Sequence, residues 1–435
     1  MEILNATAIL LILAATFGFL NYHLLKLPFA IGLLLSGLLA SLAVLGVDQL
    51  IPNWKLAEVA REAVLSINFA DTVLTGMLTL LLFAGALHTD LSRLKQHYAS
   101  IVTLASVGVL ISTAVSGVAA YFVFQQLGVP ISMVWCLAFG ALISPTDPIA
   151  VLGIMKAAKA PKSLETKVIG ESLFNDGTAV VVFTVLLGIG VAMATGSAEA
   201  TEEAMSPLKV GGLLVQEVVG GIALGLGSGW VCARALRTMD EPSLEILVSV
   251  ATVFAIGLIA SKTHVSAPLA AVAAGLFIGN RGRHALSERA ARDLDIVWTF
   301  IDETLNALLF LLIGLEIFAI DSRLLYLEAG GILVVVVLFA RWVGVGLPIL
   351  VLRSRRSIDT GAIRVLTWGG LKGGVSVALA MKLPEFDGRA AVLTVTYVIV
   401  IFSVVVQGLT VGRLIRRIAA ESAQSPEEPE PEPGH

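Results

Sequence analysis

The sequence predicts an all-α polytopic membrane protein, and three observations carry that prediction. Hydrophobic residues make up 57% of the 435-residue chain and charged residues only 14%, against about 25% charge in an ordinary soluble domain. The apolar residues gather in repeated runs of about 20, the length a helix needs to cross a hydrocarbon core of about 30 Å. Basic residues concentrate in alternate connections between those runs, as the positive-inside rule describes. The net charge of −4 comes with no basic, aromatic-interleaved patch, so the lipid bilayer is an expected partner and nucleic acid is not. Cys136 and Cys232 fall inside predicted spans, so neither a disulfide framework nor a cysteine metal cluster is expected.

In chain order the runs predict about 13 spans. They lie at about residues 3–25, 28–46, 66–88, 98–126, 130–156, 164–194 and 208–237. The remainder lie at about 243–262, 266–280, 293–320, 323–352, 359–382 and 389–417. Met1-Glu2-Ile3-Leu4 lacks the basic n-region of a cleaved leader, so span 1 is expected to be retained. Residues 1–418 form the transmembrane domain in this reading. Residues 419–435, rich in Glu and Pro, form a disordered cytoplasmic tail. The connections on the side of Lys26, Arg93, Lys162, Arg234, Arg289 and Arg364, together with the tail, hold 20 of the 29 Lys and Arg residues. The opposite side holds 7, and Arg341 and Lys372 lie within spans. The N-terminus is therefore expected outside and the C-terminus in the cytoplasm, with the acidic loop Glu199 to Glu203 outside.

Two spans carry their own interruptions. In the fifth, Ser144-Pro145-Thr146-Asp147-Pro148 sets two prolines around an acid, and each proline removes a backbone donor and clashes with the preceding turn. In the twelfth, Trp368-Gly369-Gly370-Leu371-Lys372-Gly373-Gly374 sets a cation among four glycines. If residues of about 3–194 and 243–417 form two repeats, each break falls in the fifth helix of its repeat, and the repeats are inverted. Paired broken helices at matching positions mark the midplane site of a transporter.

The sixth span contains Gly170-Glu171-Ser172-Leu173-Phe174-Asn175-Asp176-Gly177-Thr178. A charged side chain near mid-bilayer costs roughly 2.5–3.5 kcal/mol on insertion scales, so these acids read as functional. Ser172 and Asp176 share one helix face, while Glu171 and Asn175 share another, rotated by about 100°. Asp147, Asp176, Ser172 and the Thr146 carbonyl freed by the break supply the carboxylate, hydroxyl and carbonyl oxygens that suit a hard cation. Structural readings stand beside these: Asp147 as the cap of a half-helix, Ser172 bonded back to its own helix, and Glu171 with Lys372 as a buried pair holding the break. Arg341 is assigned to structure, with its partner open among Asp302, Glu303 and Glu316.

The motif from Gly170 to Gly177, followed by an apolar run, resembles the Asn-Asp motif of the monovalent cation/proton antiporter superfamily, in its NhaP-like (sodium/proton exchanger) branch. Ser144 to Pro148, Trp368 to Ala380, Phe310-Leu311-Leu312-Ile313-Gly314-Leu315 and the Leu27-Pro28 entry to span 2 match as well. The resemblance extends over about 400 residues and includes the number of spans. It implies an NhaA/NhaP-like antiporter fold, with inverted repeats and two broken helices crossing near the midplane, homodimers in a bacterial inner membrane, and alternating access. It also implies that Asp176 binds the ion and carries the proton, and that Asp147, Ser172 and the Thr146 carbonyl complete a sodium site. Asn175 then bonds across the broken helices, and Glu171 pairs with a basic residue of span 12. Two departures stand out. The usual Arg of the twelfth-span motif is Lys372, a point charge in place of a planar fork. The acid that relatives often carry after a Phe in span 3 is replaced by Ala84, following Phe83, with His88 one turn on.

The function expected is exchange of Na+ (or Li+) for H+ by secondary active transport, with no cofactor and no enzymatic reaction. Burial disfavours an ionised carboxylate, and a bound sodium offsets that cost, so proton and cation exclude each other at Asp176. Asn175 in place of a second acid points to electroneutral 1:1 exchange. A K+/H+ antiporter is the alternative ion. A cation-gated channel or non-transporting sensor is the alternative class, and the single polar cluster disfavours the channel, which needs a continuous polar lining.

Overall fold

The computed structural model describes residues 2–51, 76–148, 151–153, 162–196, 198–239, 241–282, 288–319, 323–353 and 360–424, with positions 55, 58, 155 and 160 between them. The first half of span 3, positions 149, 150, 154 and 156 of span 5, the connections at 283–287 and 354–359 and the tail from 425 onward lie outside those residues. The described residues are helical, and their only bridge of extended backbone joins Asp147 to Leu371.

The helices follow the predicted runs. They are α1 (Glu2–Leu20), α2 (Phe29–Leu50), α3 (Leu78–Leu87), α4 (Tyr98–Gln126), α5 (Met133–Ile143), α6 (Lys162–Ala194) and α7 (Pro207–Leu236). The second half continues with α8 (Pro242–Thr263), α9 (Ala267–Phe277), α10 (Glu288–Leu315) and α11 (Leu324–Arg353). Span 12 divides into α12 (Thr360–Trp368) and α13 (Gly374–Met381). The last helix, α14 (Arg389–Ile418), has helical backbone as far as Gln424, six residues into the expected tail. Among the described residues, nine helices are long and apolar enough to cross a membrane.

Local chemistry sets the ends of these helices. Pro207 and Pro242 occupy first-turn positions, where the missing N–H has no intrahelical partner to lose. Ser266 caps α9 by accepting from Leu269 N. The α1–α2 corner turns at Lys26, whose φ of 53° is left-handed, and Asn21 closes it by bonding both the N–H and the C=O of Leu27.

With lipid outside, packing is driven by close backbone approach rather than by hydrophobic exclusion. The run Gly220-Gly221 to Gly229 serves this on α7, which lies against α9: a Cβ at Gly225 would fall 2.2 Å from Ala270 O. One core gathers α2, α5, α10, α11, α13 and α14, and a second gathers α3, α8, α9 and part of α10. An apolar cavity of about 910 Å³ lies among α4, α6, α7 and α9, with Val102, Phe174, Val181, Ile222, Val272 and Leu276 in its wall.

Candidate ion-binding site

The two predicted breaks meet. Pro145 and Pro148 end α5 just where Ser144 turns its hydroxyl back onto Gly140 O at 2.7 Å. Beyond it, Asp147 N donates to Leu371 O at 2.7 Å, so the first break hydrogen-bonds through its main chain to the second. At membrane depth every freed backbone group needs a protein partner, and α14 supplies others. Ser403 Oγ accepts from Lys372 N at 2.9 Å and donates to Gln407 Oε1 at 2.6 Å, while Gln407 Nε2 donates to Trp368 O at 3.0 Å. Ser403 and Gln407 bound a π-helical turn in α14, the kind of local irregularity that re-aims side chains.

Charges sit at the ends of the half-helices. Lys372 Nζ donates to Ser144 O at 3.0 Å and Pro145 O at 3.2 Å, at the negative end of the α5 dipole. Asp147 lies against the positive end of α13: a Cβ on Gly373 would fall 2.8 Å from Asp147 Oδ2, so only glycine lets the carboxylate approach this closely.

On α6 both polar stripes reach Thr146. Along one, Ser172 Oγ lies 3.1 Å from Thr146 Oγ1, and Asp176, 8% exposed, has an Oδ1 with no hydrogen-bond partner. Asp176 lies in the field of Asp147, Glu171 and Lys372. Along the other, Asn175 Nδ2 donates to Thr146 Oγ1 at 2.7 Å and to Glu171 Oε1 at 2.9 Å. Asn175 Oδ1 accepts from Thr146 N at 3.5 Å. The structure thus brings Thr146, Ser172, Asn175, Asp176 and Glu171 into one cluster at the first break, with Asp147 beside it.

The expected pairing of Glu171 with Lys372 is not what forms. Glu171 takes Arg341 of α11 in a two-point pair, NH1 to Oε1 at 2.6 Å and NH2 to Oε2 at 2.7 Å. The planar guanidinium matches a carboxylate fork in a way an ammonium does not. Lys372 is satisfied by the α5 carbonyls instead. Arg341 also donates to Leu366 O from both Nε and NH2, which ties α11 to α12. Arg341, Ser403 and Gln407 are the residues that sequence reasoning left out of the site. The spacing of Ser403 and Gln407, one turn apart in an apolar span, was the available signal for the last two. His88 bonds Ala84 O at 2.9 Å and lies 3.5 Å from Asp295, as a helix-end interface residue.

Helices broken around buried carboxylates inside a multi-span bundle define the class of secondary ion transporters. Residues 9–417 match the family described as sodium/hydrogen exchanger, transmembrane, and the chain belongs to that family. The Na(+)/H(+) antiporter NhaP of Pseudomonas aeruginosa is 44% identical over 423 residues, covering 96% of this chain and 97% of the relative. The Na(+)/H(+) antiporter NhaH of Halobacillus dabanensis is 34% identical, covering 94% and 97%. The solved structure of the sodium proton antiporter MjNhaP1 from Methanocaldococcus jannaschii at pH 8 superposes with a TM-score of 0.72 at 21% identity, over 95% of this chain and 99% of that one. That likeness bears on the fold.

Proposed function

We propose that the chain exchanges Na+ (or Li+) for H+ by alternating access, with one proton per cation and no net charge moved. The observation that carries this reading is the Asp176 carboxylate: buried, with one oxygen lacking any hydrogen-bond donor, beside the Ser172 and Thr146 hydroxyls. A proton or a sodium ion satisfies that oxygen, and the two cannot do so together. Asp147, Ser172 and the Thr146 carbonyl complete the coordination in this reading. Asn175, Glu171 and Lys372 organise the site, with Arg341 added to them. Net exchange follows when either loaded form reorients and the empty anion does not. The names of the relatives support sodium as the cation, and a K+/H+ preference is the competing outcome of the same assay.

The wider arrangement belongs to the same proposal: inverted repeats at about 3–194 and 243–417, a homodimer in a bacterial inner membrane, the N-terminus outside and the C-terminus in the cytoplasm. Everted vesicles holding the protein should lose their pH gradient on addition of sodium or lithium, and absence of cation-driven collapse overturns the exchanger reading. Asp176→Asn should abolish that response while the protein remains folded in the membrane. Because proton and cation compete, the apparent KM for sodium should rise as pH falls.

A further inference from the structure

A second group of oxygens lies on α10, in the field of Asp147 at the first break. Trp298, Asp302 and Asn306 follow at four-residue intervals and share one face of that helix. Trp298 packs on Phe83 of α3 with ring centroids 4.6 Å apart and donates its indole N–H to Ser249 Oγ at 3.0 Å. Those two contacts fix how α10 is rotated. One turn on, the Asp302 carboxylate accepts from Asn306 Nδ2 at 3.1 Å, and the same amide donates to Asp302 O at 2.8 Å. Asn306 is 4% exposed and its Oδ1 accepts no hydrogen bond.

The charges acting on Asp302 are those of Asp147 and Glu303, both negative. No Lys or Arg among the described residues forms an ion pair with it, since Arg341 is committed to Glu171. A buried amide oxygen without a donor is costly, and so is a half-buried carboxylate in the field of other carboxylates. One ligand relieves both: a hard cation held by oxygen. Asp302 is half-buried, so an ion still carrying water can reach it.

We propose that the Asp302 carboxylate and the Asn306 amide oxygen form a second cation station, from which the ion passes to Asp147 and Asp176. The station rests on the exchanger reading for its role in transport, though not for its ability to bind.

Two measurements on the full-length protein test it. In proteoliposomes, sodium-driven proton movement is followed over a sodium series. Asp302→Asn should raise the apparent KM about tenfold with Vmax within about twofold, an affinity effect at the loading step. Asp302→Glu should restore the KM, and Asn306→Leu should raise it by a smaller factor. In detergent, sodium should still raise the melting temperature of Asp176→Asn, and that shift should vanish in the Asp176→Asn/Asp302→Asn double variant. An unchanged KM in both Asp302→Asn and Asn306→Leu overturns the station, as does a loss of Vmax at unchanged KM that Asp302→Glu does not rescue. Should Asp302→Asn fail to fold, Asn306→Leu and Asp302→Glu carry the KM comparison alone. A wild-type protein that moves no protons sinks the exchanger reading, and the sodium-dependent melting shift then still decides whether Asp302 binds the ion.

Discussion

Arg341 holds Glu171 by two charge-assisted hydrogen bonds, and Glu171 in turn holds Asn175, which fixes the Thr146 hydroxyl. Removing one partner from a buried pair strands the other charge, at a cost of roughly 3–5 kcal/mol. Arg341→Ala should therefore lower the melting temperature sharply in detergent, whereas Glu171→Gln combined with Arg341→Met should recover much of the loss. Arg341→Lys should fall between, because an ammonium cannot make both bonds in one plane. This pair was the least legible part of the site. Its members are 170 residues apart, and acids such as Glu316 and Glu328 lie far nearer to Arg341 in the chain. By contrast, Ser172 and Asp176 declared themselves, because a four-residue interval on a helix puts side chains on one face whatever surrounds them.

At the scale of elements, both breaks were legible for the same kind of reason. Proline and clustered glycine change what the backbone can do irrespective of tertiary context. What fills the gaps was not legible, since the acceptors for Lys372 are main-chain carbonyls of α5 and the partners for the second break come from α14. Lys372→Met should leave Ser144 O and Pro145 O without that donor, a loss of about 1–3 kcal/mol for buried groups. Thermal unfolding should report it as a lowered midpoint, and the vesicle assay as impaired exchange. Lys372→Arg keeps the charge at the α5 terminus and should preserve folding and activity. Complete loss in that variant would mean that the compact ammonium itself is required.

At the scale of the whole molecule, the charge asymmetry of the connections and the proposed stoichiometry are both open to direct measurement. Both native cysteines are buried, so a cysteine introduced by Glu202→Cys should be the one labelled by an impermeant maleimide added to intact cells. Labelling only after the cells are opened would reverse the proposed orientation. Sodium-driven proton movement in proteoliposomes should also be indifferent to an imposed potassium-diffusion potential, and a response to voltage would exclude 1:1 exchange. The main-chain bond between Asp147 and Leu371 has a further consequence at this scale. Together with the Arg341 and Lys372 contacts it fastens α5, α6, α11 and α12 into one cassette, so the ion's immediate surroundings gain little by flexing. The apolar cavity bordered by α7 and α9 shows no comparable fastening among the described residues, and its walls are largely hydrocarbon. Under the alternating-access proposal, such an arrangement favours carrying an intact compartment, as a drawer slides, over bending its frame, as a door does.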